Sequence, residues 1–194
     1  MLHAQAAYTK FKSGADTMIV SCCDSRVDPA ILTGSEPGDL FVVRNVANLV
    51  PPCEAGGGHH GVSAALEFGV CGLGVEHIIV LGHSQCGGIR ALMEDAYGSG
   101  EGGFIAEWMN IAAPARDKIR KELPHKSFDI QARACEQAAI LLSLENLLSF
   151  PWIAQRVSNG TLSLHGWYFD LAQGELLGYD AGNKSLVTLT GNAV

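Results

Sequence analysis

The chain has 194 residues, 47% of them hydrophobic and 17% charged, with a formal net charge of -7. That apolar fraction is too high for a disordered chain, and the length suits a single domain, 1–194, around one core. The acidic balance, with no Lys/Arg cluster, excludes a non-specific nucleic-acid binder. No apolar run approaches the ~20 residues that cross a bilayer, and the start, MLHAQAAYTKFKSG, lacks the apolar core of a secretory signal, so a cytoplasmic location is expected. Six cysteines (Cys22, Cys23, Cys53, Cys71, Cys86 and Cys135) in a chain of this length read as free thiols or metal ligands rather than a disulfide framework.

In chain order, residues 17–22 (TMIVSC) form the first expected strand. The turn signal Glu36-Pro37-Gly38-Asp39 precedes a second at 40–43, and a third follows at 77–82. All three are apolar on both faces, as in a covered parallel sheet. Between the second and third, Ala64, Ala65, Phe68 and Cys71 recur at helical spacing over 61–72. Another helix starts near Gly87 and runs through Ile89, Leu92 and Met93. Glycines at 98, 100, 102 and 103 make a flexible break. Beyond it, 104–123 and 130–148 read as two long helices, and Pro151 opens a short one to Val157. Residues 161–170 and 175–179 form a hairpin around Ala172-Gln173-Gly174. Alternating strands and helices make this an α/β chain with a parallel sheet.

Two segments place soft ligands at strand ends. Cys22-Cys23-Asp24-Ser25-Arg26 closes the first strand, and His83-Ser84-Gln85-Cys86-Gly87-Gly88 closes the third and opens a helix. In open α/β sheets, sites form at the carboxyl ends of strands where connection direction reverses, so the two segments can meet. Thiolate and imidazole together favour zinc over hard cations. Strand alternation sends Cys22 and Asp24 to one side and Cys23 behind. Cys22, His83 and Cys86 then supply three ligands and leave a fourth tetrahedral position, as in a catalytic zinc site. Asp24 either fills that position in a closed state or stands beside it as a hydrogen-bond acceptor. Arg26 favours the second role, because its planar fork can hold the carboxylate ionised and away from the metal. Cys86 lies near a helix N-terminus, which favours thiolate, and Gly87 and Gly88 allow close backbone approach. A site with two thiolates acidifies its water less than a three-histidine site, so activity should rise toward alkaline pH. A lone histidine or cysteine at a strand end is usually packing; the joint occurrence beside an arginine argues for the metal. Cys53, Cys71 and Cys135 read as ordinary core or surface thiols. His59 and His60, beside a glycine run, read as a solvated helix start, with proton movement at the site mouth as the second reading.

These residues, in this order, resemble the β-class carbonic anhydrases. Cys22 to Arg26 matches the family's CxDSR motif, and His83 to Gly87 its HxxCG motif. Arg44-Asn45-Val46-Ala47-Asn48 resembles its RNxAN segment, and Leu164-His165-Gly166-Trp167 its late HGW strand. The resemblance runs from about Thr17 to Tyr179. It implies a four-stranded parallel sheet plus a C-terminal antiparallel strand, flanked by helices, in homodimers or higher homo-oligomers. It implies one zinc per chain on Cys22, His83 and Cys86, with Asp24 and Arg26 as the catalytic dyad. It implies reversible hydration of carbon dioxide to bicarbonate by zinc-bound hydroxide, with Phe41, Val46, Phe68 and Gly87 lining the substrate pocket. Some members bind bicarbonate at a second, inhibitory site through a tryptophan, an arginine and a tyrosine. Here Ile19, Arg44 and Phe169 take those places, so the chain resembles the type without that site. Ser13 stands where plant-like members carry a glutamine, and Phe68 where many carry a tyrosine. Only 21 residues precede Cys22, fewer than the family's partner-wrapping helices need, so the resemblance leaves the dimer to the sheet edge and helices or to residues not in this sequence.

Three other readings use the same residues. The site could take carbon disulfide or carbonyl sulfide, given a long narrow apolar tunnel. Asp24 could close a non-catalytic zinc, which would leave Arg26 without a task. Cys22 and Cys23 make a poor redox pair, because strand geometry turns their side chains apart.

Overall fold

The computed structural model describes residues 15–54, 56, 58–96 and 103–189. The residues from 98 to 102 of the expected glycine break, and Ser13, lie outside them. The strands are β1 (Thr17–Cys22), β2 (Leu40–Asn45), β3 (His77–His83), β4 (Ser163–Asp170), β5 (Glu175–Asp180) and β6 (Ser185–Thr188). They form one sheet in the order β2-β1-β3-β4-β5-β6. The first four are parallel, and β5 and β6 are added antiparallel. The sheet is therefore the expected one with a further strand, β6, beyond the hairpin.

The helices are α1 (Pro29–Thr33), α2 (Gly61–Glu67), α3 (Gly87–Met93), α4 (Phe104–Asn110), α5 (Ala113–Glu122), α6 (Phe128–Leu147) and α7 (Pro151–Ser158). Helix α1 is capped at both ends. Asp28 Oδ1 accepts from the amides of Ala30 and Ile31, Pro29 opens the first turn, and Gly34 closes it with φ 65°. The single helix expected over 104–123 is two. Pro114 cannot donate to Asn110 and its ring crowds that carbonyl, so α4 ends and Pro114 sits in the first turn of α5. Helix α2 continues as a wider turn over Phe68–Leu73. Its core-facing stripe is the buried Leu66 and Val70 with the partly buried Val62, Ala65 and Leu73, not the expected stripe through Ala64, Phe68 and Cys71, which are exposed.

One sheet face carries Met18, Val20, Ile78, Val80 and Tyr168, packed against Leu66 and Val70 and against Ile140, Leu147 and Ile153 of α6 and α7. The opposite face carries Ile19, Ile79, Leu81 and, on β5, Leu176, with Val27 packed against it. A third cluster caps the carboxyl ends of the strands. There α3 to α6 bring Ile89, Leu92, Met109, Ile119 and Cys135 around Cys22 and Cys86. Gly82 lets α6 approach β3: a Cβ there would stand 2.7 Å from Ile140 Cδ1. Among the described residues no single helix is long and apolar enough to cross a membrane.

Candidate metal centre

Chain direction reverses between β1 and β3, since β2 lies on one side of β1 and β3 on the other. Cys22 ends β1, and His83 ends β3 next to it. A three-residue turn then returns the chain so that Cys86 caps the start of α3. That turn needs Gln85 at φ 58°, a left-handed conformation that costs a non-glycine residue on the order of 1 kcal/mol. Ala47 and Asn48, on the short turn following β2, are left-handed too. Sites that over-determine their backbone hold such strain.

The ligand atoms of Cys22, His83 and Cys86 all lie within 4.8 Å of one another, and all three residues are buried. The two sulfurs are 4.0 Å apart. His83 Nδ1 donates to its neighbour's carbonyl, Ser84 O, at 2.9 Å. Its Nε2 is thereby left as a lone pair facing the thiols. Among the described residues it is the one buried side-chain polar atom without a hydrogen-bond partner. A buried orphan of this kind is costly unless something occupies it. Two soft sulfurs and an imidazole with its second nitrogen fixed to a backbone carbonyl fit zinc in donor type and tautomer.

The thiols titrate as a pair. The Cys86 thiol, hydrogen-bonded to Cys22, pulls Cys22 well below the usual thiol range, and the resulting thiolate pushes Cys86 up. Burial opposes charge on His83, yet the adjacent Cys22 leaves it raised overall. The group as a whole is ready to exchange a proton for a cation.

Asp24 is not among the clustered ligand atoms. Arg26 Nε and Nη2 donate to its Oδ1 and Oδ2 at 2.9 and 2.7 Å, and the Arg26 amide donates to Oδ1 at 2.9 Å. The guanidinium hydrogen bonds hold Asp24 far below the usual carboxylate range. Arg26 Nη2 also donates to Gln85 O at 3.1 Å, which ties the dyad to the turn between the two ligands. Arg44 donates to three carbonyls, Cys22 O, Asp24 O and Val27 O, at 2.7–3.0 Å, and so clamps the segment after β1.

The remaining expected residues divide. Val46 stands at the site: its Cγ1 would be 2.9 Å from a Cβ on Gly88, and its carbonyl accepts from Trp108 Nε1 at 2.8 Å. It borders a cavity of about 800 Å³ with His59, His60, Phe104 and Trp108. The close approach expected of both glycines belongs to Gly88; a Cβ on Gly87 would meet nothing within 4 Å. Phe41 and Phe68 lie elsewhere in the chain. Phe41 pairs with Met18 while Cys22 pairs with Asn45, four residues along, ~13 Å at the usual strand rise. The two rings contact each other, centroids 5.8 Å apart, and Phe68 is exposed. Cys23, expected to pack behind the strand, is exposed because β1 ends at Cys22.

Sequence reasoning missed Glu136. This buried carboxylate on α6 accepts from the Cys86 amide at 3.0 Å and from Tyr168 Oη at 2.7 Å. Its one signal was an acidic residue amid the apolar run of α6.

A family model described as carbonic anhydrase matches residues 17–176. The chain is 46% identical to beta carbonic anhydrase 5, chloroplastic, of Arabidopsis thaliana, over 79% of this chain and 50% of that protein. It is 41% identical to beta carbonic anhydrase 3 of the same plant, over 81% and 61%. The chain thus spans about half to three fifths of the length of these relatives. Among solved structures, the β-carbonic anhydrase CcaA superposes with a TM-score of 0.87 at 32% identity, covering 98% of this chain and 83% of that one. A tetrameric β-carbonic anhydrase from the ascomycete Sordaria macrospora superposes with a TM-score of 0.74 at 27% identity, over 91% and 92%. The matched span contains both ligand-bearing turns and the Asp24–Arg26 pair, and the chain belongs to the β-class carbonic anhydrase family.

Proposed function

We propose that the protein hydrates carbon dioxide reversibly to bicarbonate and a proton, with one zinc per chain held by Cys22, His83 and Cys86. The observation that carries this reading is the orphaned His83 Nε2 facing two thiols, beside an aspartate pinned to an arginine. Zinc in that place would supply a Lewis acid that lets water act as a nucleophile near neutral pH. The chain supplies the rest. Arg26 holds Asp24 ionised through three hydrogen bonds, and the lone pair left on Oδ2 would be free to accept a hydrogen bond from the reacting water. The apolar cluster around Cys22 and Cys86 keeps bulk water from the ligands and strengthens their electrostatics. We place Val46 and Gly87 in the approach to the ligands: Val46 borders the cavity of about 800 Å³, and a Cβ on Gly87 would meet nothing within 4 Å.

The reading includes a second copy of the chain. Among the described residues, β2 is an edge strand with an unpaired side, and edges of this kind are normally covered. The exposed Phe68 packs at a 45° tilt against Phe41 at the far end of that edge. Their place in the pocket is then on the neighbouring copy's site, and the enzyme is a homodimer or larger.

Stopped-flow hydration across pH, on protein of measured zinc content and sedimentation mass, tests both parts. The expected result is fast hydration by an oligomer with one zinc per chain, rising toward alkaline pH and lost on chelation. Full zinc without hydration at any pH would overturn the activity. A fully active monomer would overturn the shared pocket.

A further inference from the structure

We infer that Glu136 is a positioning residue for the metal ligand Cys86, holding its peptide from behind through a hydrogen bond that packing cannot replace. This rests on the metal reading above.

Glu136 is 5% exposed. Both carboxylate oxygens are committed: Oε1 accepts from Cys86 N–H and Oε2 from Tyr168 O–H. Tyr168 is fully buried on β4, in register with Gly82 beside the His83 ligand. The Arg133 guanidinium lies 5.4 Å over the Tyr168 ring and donates to Asp170 at 2.7 Å. Glu136 is thus fixed from its far side and delivers one oxygen to the ligand-bearing turn.

The turn depends on such bonds. Its other holds are polar as well: Ser84 N donates to Phe169 O at 2.9 Å, Leu171 N donates to Ser84 Oγ at 2.8 Å, and Arg26 reaches Gln85 O. Behind it lies a cavity of about 600 Å³ lined by Ser84, Gln85, Arg26, Arg133, Glu136 and Asp170. Ala132 and Ala172 are the only apolar side chains on that lining, so the turn's firm holds on this side are its hydrogen bonds. With Gln85 left-handed, a released turn has both strain to relieve and space to move into. The Cys86 amide is also a donor at a helix start with no partner inside the helix. Glu136 supplies that partner and so fixes where the Cys86 sulfur stands relative to Cys22 and His83.

The test measures zinc release into a chelator, the melting temperature of the zinc-free protein, and the thiolate-to-metal band of the cobalt-substituted protein. Glu136→Met keeps the volume and removes the acceptor; it should speed release ~10–100-fold and shift the cobalt band. Glu136→Gln offers its oxygen to Cys86 and its amide to the Tyr168 oxygen, and should stay within about threefold of wild type. Leu147→Ala, a cavity at the far end of the same helix, should lower the melting temperature without matching the release rate. The inference falls if Glu136→Met releases zinc at the wild-type rate, if Glu136→Gln is as fast as Glu136→Met, or if Leu147→Ala speeds release equally. Should Glu136→Met not fold, Tyr168→Phe takes its place. It frees one end of the carboxylate and must speed release severalfold for the inference to stand. Wild-type protein that takes up no zinc overturns the metal reading and this inference with it.

Discussion

Strand β3 carries a histidine at each end, and the two are in opposite chemical conditions. His83, at the carboxyl end, is 1% exposed, has Nδ1 tied to Ser84 O, and keeps Nε2 without a partner between two thiols. His77, at the other end, is half-buried, and its Nδ1 meets His165 Nε2 at 3.2 Å. They stand six positions apart on one strand, and so on one face. The difference teaches what marks a ligand. A strand-end imidazole is common. An imidazole whose tautomer is set by the backbone, with its free nitrogen buried and aimed at sulfur, is a metal ligand in waiting.

The largest expected effect comes from breaking the comparison at His83. His83→Gln should reduce zinc below ~0.1 per chain and hydration by ~10³ or more, because metal and nucleophile are lost together. His77→Gln should leave zinc content unchanged. Metal analysis and stopped-flow hydration on the two variants decide it. A His83→Gln protein with full zinc would mean that the orphaned nitrogen is not the ligand. The next effect is smaller and isolates the dyad. Asp24→Ala should keep zinc near wild type while lowering turnover ~10²–10³, the range of a lost positioned acceptor. Turnover unchanged in that variant would remove Asp24 from the reaction.

The carboxyl end of the sheet was legible because its chemistry is compressed into two short segments, 22–26 and 83–88, each at the end of an apolar run. Alternation and strand ends then sufficed to bring Cys22, His83 and Cys86 together. What escaped depends on contacts that spacing does not encode. Glu136 lies 50 residues from Cys86, and only the packing of α6 across β3 and β4 joins them. The stripe of α2 was misread because alanine and phenylalanine count alike in a periodic pattern, whereas burial chose Leu66 and Val70. The break at Pro114 and the α1 signal Asp28-Pro29 through Gly34 were both present in the letters. They were passed over because neighbouring apolar residues completed a longer or a simpler pattern. Strand β6 pairs only at the sheet's far edge, and its four residues, although they include Leu186 and Val187, are a short run to declare a strand.

The smallest effect sharpens the contrast at the other end of β3. Burial, and then the charge of His77, lowers the pKa of His165. The unfolded chain, with a histidine near ~6.5, therefore takes up this proton before the folded one does. The sign follows: the pair costs nothing above about pH 6.5, and stability declines as pH falls from there through the lowered folded value. His83 in the metal-free protein shifts the other way, raised by the thiolate beside it. On the proposed metal reading, zinc at Nε2 would remove that opposing contribution. Melting curves of loaded wild type and His165→Asn between pH 8 and pH 5 should separate on acidification. Wild type should lose more, by on the order of 2 °C, because a half-buried pair is partly screened. Parallel curves would show that the imidazole pair carries no proton-linked stability. The two ends of β3 would then differ by the orphaned Nε2 alone, and satisfied against unsatisfied nitrogen, rather than protonation, would be the whole of the distinction.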